Sequence, residues 1–130
     1  MIEFHLNASS GVSPYQQLVQ QVRRALLLGL LSAGDQLPTV KDVVAQLAIN
    51  PNTVLKAYRE LEHSGLVAAR AGVGTFVTST LSDASLAAHA PLRQELERWF
   101  GKARRAGLDD ESIEALFQDT FRTLTEQGVA

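Results

Sequence analysis

Two helix starts set close together and followed by a glycine-rich hairpin restrict the fold of this chain more than any other feature. The first is Leu37-Pro38-Thr39-Val40-Lys41-Asp42, where Thr39 stands as an N-cap with Asp42 three residues on, a capping-box spacing. Val40, Val43, Val44 and Leu47 then form one apolar stripe, which predicts a short amphipathic helix. The second start is Asn50-Pro51-Asn52-Thr53-Val54. Asn50 can accept from the free amides of a first turn, and Pro51 takes the first helical position, where its missing N–H costs nothing. Ala48 and Ile49 are left for a tight turn between the two helices. The second helix buries Val54, Ala57, Tyr58 and Leu61 on one face and ends near Gly65. Residues 66–70 and 75–78 are β-prone and flank Ala71-Gly72-Val73-Gly74, which reads as a hairpin.

Two capped helices, a tight turn and a hairpin make a winged helix-turn-helix. The polar face of its second helix carries Asn52, Thr53, Lys56 and Arg59, residue types that reach base edges and phosphates when such a helix lies in the major groove. The candidate DNA-binding set is Thr39, Lys41, Asn50, Asn52, Thr53, Lys56, Arg70 and Gly72. Lys41 and Asn52, at the starts of the two helices, are expected to contact base edges. Thr39, Thr53 and Lys56 are expected mainly to fix phosphate register, and Arg70 with Gly72 to seat the wing.

Leu37-Pro38-Thr39-x-Lys41, Asn50-Pro51-Asn52-Thr53-Val54, Tyr58-Arg59-Glu60-Leu61-Glu62, Gly65-Leu66-Val67 and Gly72-x-Gly74-Thr75-Phe76-Val77, in this order and spacing, resemble the GntR family of bacterial transcription regulators. The Asn-Pro-Asn-Thr-Val run, an amino-terminal Pro14-Tyr15-x-Gln17 and a short tail are similar to the YtrA-like subfamily. The resemblance covers about the first three-fifths of the chain in motifs and the rest only in length and helical pattern. It implies regulation of an operon for ATP-driven membrane transporters. Three positions depart from the family pattern, one at the start of the first helix and two in the wing. Lys41 stands where such regulators usually have arginine, exchanging a flat two-pronged donor for a flexible point charge. Ala71 and Val73 stand where relatives are often basic, leaving Arg70 and the glycine backbone to meet phosphate.

Ahead of this unit, Phe4 and Leu6 alternate with His5, which suits a short strand or extended arm. Ser13-Pro14-Tyr15-Gln16 predicts a capped helix start, and Tyr15, Leu18, Val19, Val22, Leu26 and Leu30 keep helical spacing until the breaks at Gly29 and Ser32-Ala33-Gly34-Asp35. Arg23 and Arg24 are read as a solvated face and left out of the site. Leu18, Val22, Leu26, Val44, Leu47, Val54, Leu61 and Phe76 should form the core of the winged domain. A polar connection, residues 78–83, follows the wing and offers another cap. Pro91 is expected to start the next solid helix, because an interior proline removes a hydrogen bond and kinks the chain. Leu92, Leu96, Trp99, Phe100 and Ala103 then share one apolar stripe. Gly107-Leu108-Asp109-Asp110 should stop that helix and cap another carrying Ile113, Leu116, Phe117, Phe121 and Leu124.

Two helices with this much aromatic surface cannot close a core by themselves, so a partner is implied, and a second copy of the chain is the simplest. Leu92, Leu96, Trp99, Phe100, Phe117 and Phe121 are the expected dimer seam. The competing arrangement packs these stripes back onto the winged domain. The expected fold class is therefore mainly α with a small β-hairpin. Residues 1–79 would be an N-terminal winged helix-turn-helix DNA-binding domain, and residues 80–130 a short two-helix C-terminal dimerisation region.

The formal net charge of −2 argues at first against a nucleic-acid partner, so its distribution matters more than its sum. Residues 1–80 hold six basic and five acidic side chains, against six and nine beyond, so the acid sits mainly in the tail. Only modest non-specific affinity follows, with reliance on a paired, correctly spaced site. The chain has no cysteine, which removes disulfide frameworks and thiolate metal sites. His5, His63 and His89 have no metal-ligand spacing, so neither metal nor cofactor is expected. No segment resembles a signal peptide or a membrane span, which suits a cytoplasmic protein. Some GntR relatives carry an aminotransferase-like domain, for which this chain is too short; no catalysis is expected. The reading is a homodimeric, sequence-specific repressor on a palindromic operator, with any small-molecule effector left open. The alternative is a winged-helix module used for protein interaction, against which Asn52, Thr53 and Lys56 argue.

Overall fold

A computed structural model describes residues 2–79 and 86–127, residues 86–88 by backbone alone. Five helices and two strands follow in the order α1 (Pro14–Leu27), α2 (Val40–Leu47), α3 (Pro51–His63), β1 (Val67–Arg70), β2 (Gly74–Val77), α4 (Leu86–Arg105) and α5 (Asp110–Glu126). Two compact units part between residues 88 and 89. The boundary expected at residue 79 adjoins residues outside the described set, and the connection over residues 78–83, with the cap it offered, lies mostly among them.

In the first unit α1 and α2 both pack against α3. Leu18, Val22, Ala25 and Leu26 from α1, Val43 from α2, and Val54, Ala57, Tyr58 and Leu61 from α3 are buried together with Leu66, Val67 and Val77 of the hairpin. Three expectations about this core need correction. Val44 and Leu47 only line its edge, and Phe76 is half-buried outside it, because its ring lies under the guanidinium of Arg70 instead of pointing inward. Leu30 is exposed and Leu31 buried, since α1 stops at Leu27 and the following turn rotates the chain off the helical period. The extended arm is present without a strand partner: Phe4 is buried, and His5 is held at both backbone groups by the Gln21 side chain.

The helix starts form as their chemistry requires, with one exception. Thr39 Oγ1 accepts from the Asp42 amide at 3.1 Å, and Asn50 Oδ1 from the Asn52 amide at 2.8 Å. Ser13 makes no such cap; its hydroxyl donates to the Gln16 side chain at 3.1 Å. At the far end of α3, the Leu66 amide bonds the Leu61 carbonyl and the Gly65 amide the Glu62 carbonyl, a Schellman pair that turns the chain into β1. The hairpin is antiparallel, pairing Val67 with Val77 and Arg70 with Gly74 around a three-residue tip. Residues 35–37 add a short third edge: Leu37 N donates to Thr75 O at 2.9 Å and Val77 N to Asp35 O at 2.8 Å.

The second unit is the α4–α5 pair. The helix expected to begin at Pro91 already begins at Leu86 and runs through the proline. Pro91 lies less than two turns from the helix start, so its missing amide removes one bond near an end whose first amides are unpaired in any case. Asp109 caps α5 by accepting from the Ser112 amide at 2.8 Å, and this bonding to Ser112 holds its carboxyl below the usual range. Trp99 and Phe100 of α4 meet Phe117 of α5 with centroids 6.4 and 6.3 Å apart, over buried Ala103 and Ile113. Beyond that contact the apolar stripe faces outward. Phe121 is 63% exposed and Leu92 66%, and Leu96, Leu116 and Leu124 are exposed as well.

Candidate nucleic-acid interface

The interface is built on two helix starts and a wing, each held by contacts from elsewhere in the first unit. Tyr58, buried on the inner face of α3, donates its hydroxyl to the carbonyl of Pro38, the residue before the Thr39 cap. One bond thus ties the body of α3 to the mouth of α2. Burial, and secondarily the charge of Asp42, pushes the Tyr58 phenol well above its ordinary range, so it stays a neutral donor. The turn between α2 and α3 is made by Ala48 in the left-handed conformation, with φ 54° and ψ 45°. Among the described residues it alone, apart from glycines, has a positive φ.

Lys41 in the first turn of α2 and Asn52 in the first turn of α3 are exposed, as are Thr39, Asn50 and Lys56; Thr53 is half-buried. The acceptors of Thr39 and Asn50 are spent on capping, yet the Thr39 hydroxyl hydrogen and the Asn50 amide donors remain available to an anion. The unpaired amides of both helix starts add positive potential there. Lys56 does not project freely: its Nζ lies 4.0 Å from the centroid of the Tyr15 ring on α1.

At the wing, Gly72 has φ 73° with open space where a side chain would point, so backbone conformation, not crowding, calls for glycine. Gly74, at φ 145°, is called for by its backbone conformation, while an added Cβ would lie 2.5 Å from Gln36 Nε2 and displace only the end of that side chain. Gln36 reaches the wing tip, donating to the Val73 carbonyl at 3.3 Å. The Arg70 guanidinium lies 4.6 Å from the centroid of the Phe76 ring across the hairpin. An open cleft of about 410 Å³, lined by Thr39 and residues 69–75, separates the wing from the start of α2.

Sequence reasoning therefore named the polar groups at the helix mouths and left out what holds them. Tyr58 was legible only as a core residue, Tyr15 only as part of an apolar stripe, and Gln36 carried no signal. Gln17 stood out only as a motif letter. It is buried and spends its amide on Asn7, Ser10 and Val12, fastening the amino-terminal arm to α1. Among the described residues no group of acidic and histidine side chains is placed to hold a metal ion. No described helix is long and apolar enough to cross a membrane.

Residues 14–77, which contain every element of this interface, match the family model described as bacterial regulatory proteins, gntR family. The HTH-type transcriptional repressor YtrA of Bacillus subtilis is 31% identical over 117 residues, 87% of this chain and 86% of YtrA. The chain belongs to the GntR family. Its likeness to YtrA runs through the tail as well as the winged domain, which places it among the YtrA-like members. A second relative, the HTH-type transcriptional regulator Rv1152 of Mycobacterium tuberculosis, is 38% identical over 104 residues, 79% of this chain and 81% of its own. Among solved structures, a transcriptional antiterminator from Listeria monocytogenes superposes with a TM-score of 0.58 at 28% identity, over 92% of this chain and 90% of that one. This GntR protein is a DNA-binding transcriptional regulator and not an enzyme.

Proposed function

We propose that this GntR regulator is a repressor that binds a palindromic operator as a homodimer. The observation that carries the reading is that one compact unit holds two exposed helix starts beside a wing and the other an exposed apolar stripe. Lys41 and Asn52 read base edges, Lys41 by reaching guanine as a point charge and Asn52 by pairing with an adenine edge. Thr39, Asn50, Thr53 and Lys56 hold phosphates and so fix the register of the two readers. Gly72 lets the wing backbone approach the sugar-phosphate chain, with Arg70 beside it.

Leu92, Leu96, Trp99, Phe100, Phe117 and Phe121 form the seam between two copies. Exposed aromatic and leucine side chains on two adjoining helices are costly in water, and a two-fold pairing buries identical patches against each other. The resulting dimer presents two recognition helices to half-sites about one DNA turn (~34 Å) apart. Repression follows from occupying such a site and blocking transcription, the role named for the YtrA relative.

The test is selection of bound duplexes from a random pool, followed by titration of the recovered duplex and of random-sequence DNA at one salt concentration. A specific regulator should favour the recovered duplex by about a thousandfold or more. Equal affinity for both would instead favour a winged module that binds protein.

A further inference from the structure

Lys56 is the one proposed phosphate contact whose cationic head is held by a side chain from another helix. Its Nζ lies 4.0 Å from the centroid of the Tyr15 ring. Tyr15 sits in the first turn of α1, half-buried against the core, and α1 packs along α3. The ring is therefore fixed by the packing of two helices, while the lysine that rests on it is exposed. A free lysine side chain must give up most of its rotamer freedom to hold one phosphate. One already resting on an aromatic face has lost part of that freedom before DNA arrives.

We propose that Tyr15 is a positioning residue for DNA binding, a platform on α1 that presets the Lys56 ammonium toward the phosphate it contacts. This rests on the reading of Lys56 as a phosphate contact. It brings α1 into the binding apparatus, although none of the base or phosphate contacts proposed above comes from that helix. The ring does the work and the phenolic hydroxyl does not, so Tyr15→Phe should bind as the parent does. Tyr15→Leu keeps an apolar side chain against the core and removes the π face.

The test is a double-mutant cycle with Tyr15→Leu and Lys56→Met, titrating the full chain against a duplex it selects from a random pool over a range of salt. Lys56→Met should weaken binding and lower the salt slope by about one ion. Tyr15→Leu alone should weaken binding about two- to fivefold, the cost of ordering a lysine side chain that is no longer preset. Its slope should stay at the parent value, because no charge is lost. Added to Lys56→Met, it should cost nothing more.

An equal loss in both backgrounds would overturn the proposal, since it would mean that Tyr15 merely supports the fold. Tighter binding by Tyr15→Leu would also overturn it, by making the ring a trap that withholds the lysine from DNA. A loss in Tyr15→Phe as large as in Tyr15→Leu would assign the effect to the hydroxyl and reject the platform. If Lys56→Met leaves the salt slope unchanged, the phosphate reading of Lys56 fails first and the proposal falls with it. A lowered slope with uncoupled losses rejects the proposal alone.

Discussion

Tyr58 puts a hydroxyl on the buried face of α3, and its bond to the Pro38 carbonyl converts a core position into a brace for the mouth of α2. Tyr58→Phe leaves that carbonyl buried without its donor, so chemical denaturation should record a loss of about 1–3 kcal/mol. The phenol also gives stability a pH limb. The folded state holds its proton more tightly than the unfolded chain, in which tyrosine titrates near pH ~10. Stability from this group is thus complete below about pH 10 and falls as pH rises above it, by about 1.4 kcal/mol per unit until the folded group ionises. Tyr58→Phe should lack that component, and a parent and mutant with parallel pH profiles would contradict the assignment. At the DNA face, Lys41→Ala and Asn52→Ala should each cost about 1–3 kcal/mol on a selected duplex and little on random DNA. Equal losses on both would make them phosphate contacts.

The helix starts and stops belong to the scale of elements, and here the sequence was most informative. A cap acts over three residues, so Thr39 with Asp42, Asn50 with Pro51, and Asp109 with Ser112 could be seen without knowing the fold. What escaped were bonds between segments far apart in the chain. Tyr58 to Pro38, Lys56 to Tyr15 and Gln36 to Val73 exist only because α1, α2, α3 and the hairpin meet. Periodicity misled for the same reason at Leu30, where the helix had ended, and proline statistics misled at Pro91, where position in the helix outweighed residue type. Two element-scale expectations follow. Asn50→Ala should cost about 1 kcal/mol of stability, whereas Asn50→Asp should keep the cap and the stability while its negative charge weakens DNA binding. Loss of stability in the aspartate variant would contradict the cap, and unchanged binding by it would remove Asn50 from the interface. Ala48→Gly relieves a left-handed alanine in the turn and, after the entropy of the glycine chain is counted, should stabilise by about 0.5–1 kcal/mol. A urea midpoint that does not rise would contradict this.

At the scale of the molecule, the winged unit has its own core while the α4–α5 pair buries little beyond Ala103 and Ile113. The first should survive damage to the second. Phe117→Ala with Phe121→Ala should yield a chain whose winged unit is folded by circular dichroism yet is monomeric in sedimentation. A central aromatic lost from an interface costs about 2 kcal/mol or more, roughly thirtyfold in dissociation constant. Operator affinity should fall further, because unlinked winged units must find each half-site independently. The central claim is that two copies act on one symmetric site, and the mass of the complex on a duplex selected by the parent chain tests it most directly. At saturation, sedimentation should give two chains per duplex, with a selected consensus of two inverted half-sites about one helical turn apart. One chain per duplex on a consensus without two-fold symmetry would contradict it.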